Sequence, residues 1–201
     1  MWELLIQSFR KRNIEFTPDE LTLLQSTFRY KEYRKHQYIL QQGDVCRYKS
    51  FIIRGLTRTY DVDEKGQEHV LLFGAEDWWV VDLYSFLSGK PTSYNIDCLE
   101  NTEVLQISRQ SLDVLYAKIP KLNEYFRLLL QNAFISLSQR MVASLSRPAI
   151  ERYDEFVAAF PHIEQRISNN QIASFLGVTP QSLSRLRKQS MERSRSKPKA
   201  L

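Results

Sequence analysis

Cysteine is almost missing from this chain. Cys46 and Cys98 are the only two in 201 residues, which excludes a disulfide-stapled scaffold and leaves two thiols of a cytosolic protein as the simpler reading than one bridge. Histidine is equally sparse: His36, His69 and His162 are scattered and form no metal-ligand spacing. No nucleophile–base pair stands out either, so no catalytic residue and no metal ligand is assigned, and an enzyme is the least supported class. No apolar run approaches the ~20 residues of a membrane span, so no membrane partner is expected. The stretch from Met1 to Phe16 carries Glu3, Arg10, Lys11, Arg12 and Glu15 and lacks a small-residue cleavage site. It reads as a first helix and not as a signal peptide.

What is present is unevenly placed. The chain carries a net charge of +5. From Pro161 to Leu201 eight Lys or Arg face only Glu164 and Glu192, giving +6, and the remainder has 20 basic against 21 acidic residues. A basic C-terminal module on a near-neutral body suits an anionic partner, nucleic acid first. A solvated basic tail would look the same by charge alone.

The hydrophobic period changes twice. Thr17-Pro18-Asp19-Glu20 starts a helix with a capping Thr, Pro in the first turn and acids behind it. From Arg29 to Ile107 short strands alternate with turns: Tyr38–Leu40, Ser50–Ile53, Leu56–Val62, Glu68–Phe73 and Val104–Ile107, punctuated by Gly43-Asp44, Gly55 and Asp63–Gly66. This is the pattern of a roll or barrel, interrupted where Trp78–Leu87 reads as a short helix. Ser111–Ile119 is a helix ended by Pro120. Lys121 to about Ser146 is a long one without Pro or Gly, with Leu122, Phe126, Leu129, Ala133, Leu137, Met141 and Leu145 at spacings of three or four. A second line through Tyr125, Leu128 and Phe134 makes the apolar face wider than one neighbour needs. The expectation is therefore that it packs on the β-region and also on a partner copy in a homodimer, with Phe126, Leu129, Ala133, Leu137 and Met141 on the dimer helix; burial within one subunit is the bland alternative. The fold class is α+β: a β-roll over 1–119, a long helix over 120–147, and a DNA-binding module over 148–201 that begins after the break at Arg147-Pro148.

The segment from Ile167 to Lys188 says most. Ser168 and Gln171 make a capping box. Ile172, Phe175 and Leu176 form a buried face, Ala173 allows a close crossing, and Gly177 supplies a sharp turn. Thr179-Pro180 starts a second helix, over 180–189, with Leu183 and Leu186 inward. Gln181, Ser182, Ser184, Arg185 and Lys188 then face outward. Arg pairs with guanine and Gln with adenine in the major groove, so Gln181 and Arg185 are the expected base readers. Ser168, Asn170, Thr179, Ser182 and Lys188 are the expected phosphate contacts. A plain helix pair in an interaction module is the bland alternative.

Roll, long helix and helix-turn-helix, in that order, resemble the Crp/Fnr superfamily of bacterial regulators along nearly the whole chain. The resemblance rests on Gln42-Gly43-Asp44, Phe51–Gly55, Arg58–Tyr60, Phe73–Phe86 and Ile172–Lys188. Glu76–Trp79 and Ser182–Arg187 are similar to the branch common in Bacteroidetes. The resemblance implies a cytoplasmic homodimer on a palindromic double-stranded DNA site, with RNA polymerase as a candidate further partner. In relatives that hold cyclic nucleotides, a Gly-Glu pair meets the ribose and an Arg-Ser or Arg-Thr pair holds the phosphate. These positions fall here on Val81-Asp82 and Thr92-Ser93, so the candidate effector pocket (Asp82, Thr92, Ser93) lacks its guanidinium, and Lys90 nearby compensates only in part. A cyclic-nucleotide-responsive receptor is thus the alternative reading. An iron–sulfur cluster needs about four thiolates, twice what the chain has. No cofactor is expected, and any effector is unidentified. Trp78-Trp79 fits either core or an apolar effector pocket. Relatives follow the reading helix with a β-hairpin wing, whereas Ser190–Leu201 has almost no apolar residue and cannot pack as one; the basic tail from Met191 reads as flexible.

Overall fold

The computed structural model describes residues 1–196. Its elements divide into two compact units, one formed by Met1–Gln67 and Leu71–Asn132, the other by Glu68–Val70 with the chain from Ala133 onward. The division falls inside the long helix, between Asn132 and Ala133.

The first unit opens with α1 (Glu3–Arg10) and α2 (Pro18–Thr27). The expected single helix to Phe16 stops early, and Asn13 takes a left-handed φ of 58°. Thr17 caps α2 in a full capping box with Glu20, which satisfies two orphan donors at once. Eight strands follow: β1 (Arg29–Tyr33), β2 (Tyr38–Leu40), β3 (Tyr48–Arg54), β4 (Thr57–Val62), β5 (Glu68–Gly74), β6 (Trp79–Val80), β7 (Asn95–Cys98) and β8 (Thr102–Ser108). They make two four-stranded sheets, β1-β8-β3-β6 and β2-β7-β4-β5, the double-sheet solution to the edge problem. Gly55 lies between β3 and β4 at φ +109°, and a Cβ there would come within 2.5 Å of Thr102, so glycine is required by both backbone and space.

The expected helix over Trp78–Leu87 is shorter. Trp79 and Val80 pair with Phe51 and Ser50 as β6, and only α3 (Leu83–Ser88) is helical. Asp82 sets that start: it is extended, and its carboxylate accepts from the Ser85 N–H. Trp79 is core, with Phe51 at 5.3 Å and Phe126 at 5.0 Å between ring centroids, while Trp78 is exposed.

Helix α4 (Arg109–Lys118) is capped by Ser108. Helix α5 (Lys121–Ser146) has 26 residues, about 39 Å of helix. Its first turns belong to the roll's core. Tyr125 is fully buried, and its hydroxyl oxygen lies 3.0 Å from both the donating Trp79 Nε1 and Ser8 Oγ.

The second unit contains the rest of α5, then α6 (Ala149–Ala159), α7 (Asn169–Leu176) and α8 (Pro180–Ser196). Its core is Ile150, Tyr153, Phe156, Ile163, Ile167, Ile172, Ala173, Leu176, Leu183 and Leu186. Arg140 of α5 lies 4.7 Å over the ring of Phe175, which meets Phe156 at a tilt and Phe160 edge to face. The expected flexible tail from Met191 is corrected here: α8 runs on to Ser196, since no Pro or Gly interrupts it and Ser190 and Arg193 both find Asp154 of α6. The end of that tail lies outside the described residues. Among the described residues no helix is long and apolar enough to cross a membrane, and no group of three His, Cys, Asp or Glu could hold a metal.

Candidate nucleic-acid interface

Local chemistry alone builds the α7–turn–α8 hairpin. The Ser168 hydroxyl accepts the Gln171 N–H at 3.3 Å while the Gln171 side chain accepts the Ser168 N–H at 3.0 Å. At the other end Gly177 is left-handed, and its N–H reaches the carbonyls of Ala173 and Ser174. The Val178 N–H also bonds to Ala173 O, at 2.9 Å, so the last carbonyls of α7 are satisfied in the manner of a left-handed C-cap. A Cβ at Gly177 would touch nothing within 4 Å, so glycine is there for its φ and not for space. The Arg152 guanidinium adds a bond to Leu176 O at 2.8 Å. Thr179 caps α8, accepting the Ser182 N–H at 3.2 Å.

Burial then decides which face of α8 is free. Leu183 and Leu186 are buried, while Gln181, Ser184, Arg185 and Lys188 are exposed. Gln181, Arg185 and Lys188 follow spacings of four and three and so share one stripe. The polar small residues are more committed than the sequence suggested. Ser168 and Thr179 spend their hydroxyl protons on Gln171 and Ser182, and Ser184 donates to the Pro180 carbonyl. Asn170 is exposed at the start of α7. Ser182 is half-buried and lies 3.4 Å from an Arg185 guanidinium nitrogen.

One group escaped the sequence reading. Glu164 Oε1 accepts from the Tyr153 hydroxyl at 2.7 Å and from Arg187 Nε at 3.1 Å. Burial first, and then the bond to Glu164, push the Tyr153 hydroxyl up to about 12, so it remains a donor at any ordinary pH. Arg187 stands in the basic run Arg185–Lys188 and looks like a groove residue. Its spacing from Leu183 and Ser190 nevertheless places it at the edge of the inward face, which was the available signal.

The dimer-helix candidates separate. Phe126 and Leu129 pack on their own roll's core, with the Lys49 ammonium 4.5 Å over the Phe126 ring. The first turns of α5 lie against the strands, so these two side chains are half-buried within the subunit. Ala133, Leu137 and Met141 are exposed, together with Leu130, Phe134, Ile135, Val142 and Leu145.

The candidate effector residues also separate. Asp82 and Thr92 are buried, and Thr92 Oγ1 donates to Asp82 Oδ2 at 2.5 Å. Asp82 Oδ1 takes the Ser85 N–H at 3.2 Å, so both carboxylate oxygens are engaged. Ser93 and Lys90 are exposed. An anion placed here would meet a carboxylate. Elsewhere in the roll, Arg58 forms a buried two-bond pair with Asp97 at 2.9 and 3.0 Å and lies 4.1 Å over Tyr60.

Comparison with known proteins agrees with this architecture. Residues 30–118 match the cyclic nucleotide-binding domain family. The regulatory protein HlyX of Actinobacillus pleuropneumoniae is 30% identical over 83% of this chain and 74% of its own length. Among solved structures, FixK2 from Bradyrhizobium japonicum superposes with a TM-score of 0.72 at 16% identity, covering 87% of this chain and 89% of that one. A Crp/Fnr-family chain from Eubacterium rectale gives 0.68 at 16% identity, over 92% and 88%.

Proposed function

The chain belongs to the Crp/Fnr family of transcriptional regulators, and from that premise we propose that it acts as a homodimer reading a palindromic double-stranded DNA site through α8. The observation that carries this reading is the exposed stripe of Gln181, Arg185 and Lys188 on a helix whose opposite face is sealed by Leu183 and Leu186. Gln181 and Arg185 reach base edges, and Lys188, with Asn170 and the caps of α7 and α8, meets phosphates. The N–H groups at the start of each helix favour the same anions. Ser168 and Thr179 contribute mainly by fixing those helix starts.

The dimer reading is supported by α5. Leu130, Phe134, Leu137 and Met141 repeat at alternating intervals of four and three, all more than half exposed. That is the spacing of a coiled-coil seam, and an apolar row this long is rarely left to water. Two α8 helices about one DNA turn apart then require a two-fold site with half-sites roughly 34 Å apart.

The roll is proposed to be either structural or gated by an effector other than a cyclic nucleotide, because Asp82 and Thr92 satisfy each other where the phosphate would lie. The relatives are regulatory proteins, and the chain is proposed to have no catalytic role of its own, to work in the cytoplasm and to act on RNA polymerase through its bound site. Selection from random double-stranded DNA with purified protein tests the central claim. A two-fold symmetric sequence is expected to be enriched, and an unenriched pool at every salt concentration tried would overturn it.

A further inference from the structure

We propose that Arg187 is a positioning residue of the reading helix and not one of its DNA contacts. The inference rests on the reading of α8 just given. Its evidence is a single carboxylate oxygen: Glu164 Oε1 accepts the Tyr153 hydroxyl at 2.7 Å and Arg187 Nε at 3.1 Å, and is ion-paired with Arg187 Nη2 at 3.1 Å. The remaining guanidinium nitrogen bonds to Asn169 Oδ1 at the start of α7. Arg187 and Glu164 side chains are only 25% and 21% exposed, and Tyr153 is buried. One turn further along the same edge, the Ser190 hydroxyl donates to Asp154 Oδ1 at 2.5 Å.

Leu183 and Leu186 hold α8 down, but apolar contact is non-directional and leaves rotation about the helix axis soft. A charge-assisted guanidinium–carboxylate hydrogen bond is directional. At the ~6 Å radius of a helix with its side chains, a 20° rotation moves a side-chain position by about 2 Å. That exceeds the tolerance of a two-bond contact between Arg185 and a base. The Glu164–Arg187–Asn169 link joins α8 to α7 and to the segment before it, and so fixes that rotation. Because Glu164 already neutralises Arg187, the residue releases no phosphate counterions on binding.

The test uses the full chain and the variants Glu164→Ala, Arg187→Ala, Arg187→Lys and Glu164→Ala/Arg187→Ala. Each is titrated for active fraction, then measured on the selected site and on unrelated DNA across a salt series. Glu164→Ala is expected to weaken the selected site about tenfold, although it removes a negative charge from a surface that binds a polyanion. Arg187→Ala is expected to do the same, the double variant no worse than either single, and Arg187→Lys to recover part of the loss. In the double variant, which removes a neutral pair, affinity for unrelated DNA and the salt slope should stay at the parent values, which a general loss of folded protein would not produce. Tighter binding by Glu164→Ala, or a salt slope reduced by about 0.9 in Arg187→Ala, would make Arg187 a phosphate contact and overturn the proposal. So would variants that keep the parent's preference for the selected site. A parent protein with no site preference would instead remove the reading of α8 itself, and this role with it.

Discussion

Phe134→Glu should separate the dimer without harming the subunit. Phe134 is 68% exposed in the folded chain, at the middle of the row Leu130–Phe134–Leu137–Met141. An aromatic side chain offers roughly 200 Å². About 130 Å² of Phe134 is therefore free to be covered, and at ~25 cal/mol per Å² this is about 3 kcal/mol per copy. A two-fold dimer contains the residue twice, so full burial would contribute about 6 kcal/mol. Taking half of that for imperfect coverage leaves about 3 kcal/mol, or roughly a hundredfold in the dimer dissociation constant. Glutamate adds like charges across the axis and keeps helix propensity. Sedimentation equilibrium should show the shift to monomer, with unchanged far-ultraviolet circular dichroism. Binding to a full palindrome should fall to the level of a single half-site. A variant that keeps the parent's dimer constant would refute the assignment of this face. Tyr125→Ala is the contrast: Tyr125 is fully buried and hydrogen-bonded to Trp79 and Ser8, so its loss should cost about 3–5 kcal/mol of stability and show as a lowered melting temperature.

Three further outcomes are expected. Arg185→Ala should relax base preference at one position per half-site, while Lys188→Ala should weaken all sequences alike and flatten the salt dependence by about one unit of slope; parent-like behaviour of both would mean the wrong face was assigned. Calorimetry with cyclic AMP and cyclic GMP should give no heat of binding at micromolar concentrations, and saturable binding lost in Asp82→Ala would reverse the reading of the Asp82–Thr92 contact. Burial pushes the Cys98 thiol up from about 9 to about 11, so its contribution to stability is intact below pH 9 and is lost as pH rises through 11. The melting temperature should therefore decline between those values, and Cys98 should resist alkylation in the native protein at pH 8. Rapid native labelling of Cys98 would contradict its burial.

Elements whose cause is local were legible in the residues. Thr17-Pro18 and Ser168–Gln171 carry their own capping chemistry, Gly177 its own left-handed turn, and the Lys121–Ser146 run its own period, so starts and stops needed no partner. The outward stripe of α8 followed from the same 3.6-residue arithmetic. What failed was whatever depended on a distant neighbour. Trp78–Leu87 looked helical until Trp79 and Val80 found β3, and the tail after Ser190 looked free until Asp154 held it.

The amino-acid order by itself determined an α+β chain ending in a helix-turn-helix, because caps, turns and periodicity are set by residues a few places apart. Only the tertiary structure decided which charges and apolar faces were already spent. It turned Phe126 inward and left Phe134 outward, engaged Asp82 with Thr92, and withdrew Arg187 from the basic run to Glu164. Each of these depends on residues ten or more positions away, and burial and hydrogen-bond partners at that range are properties of the packed chain.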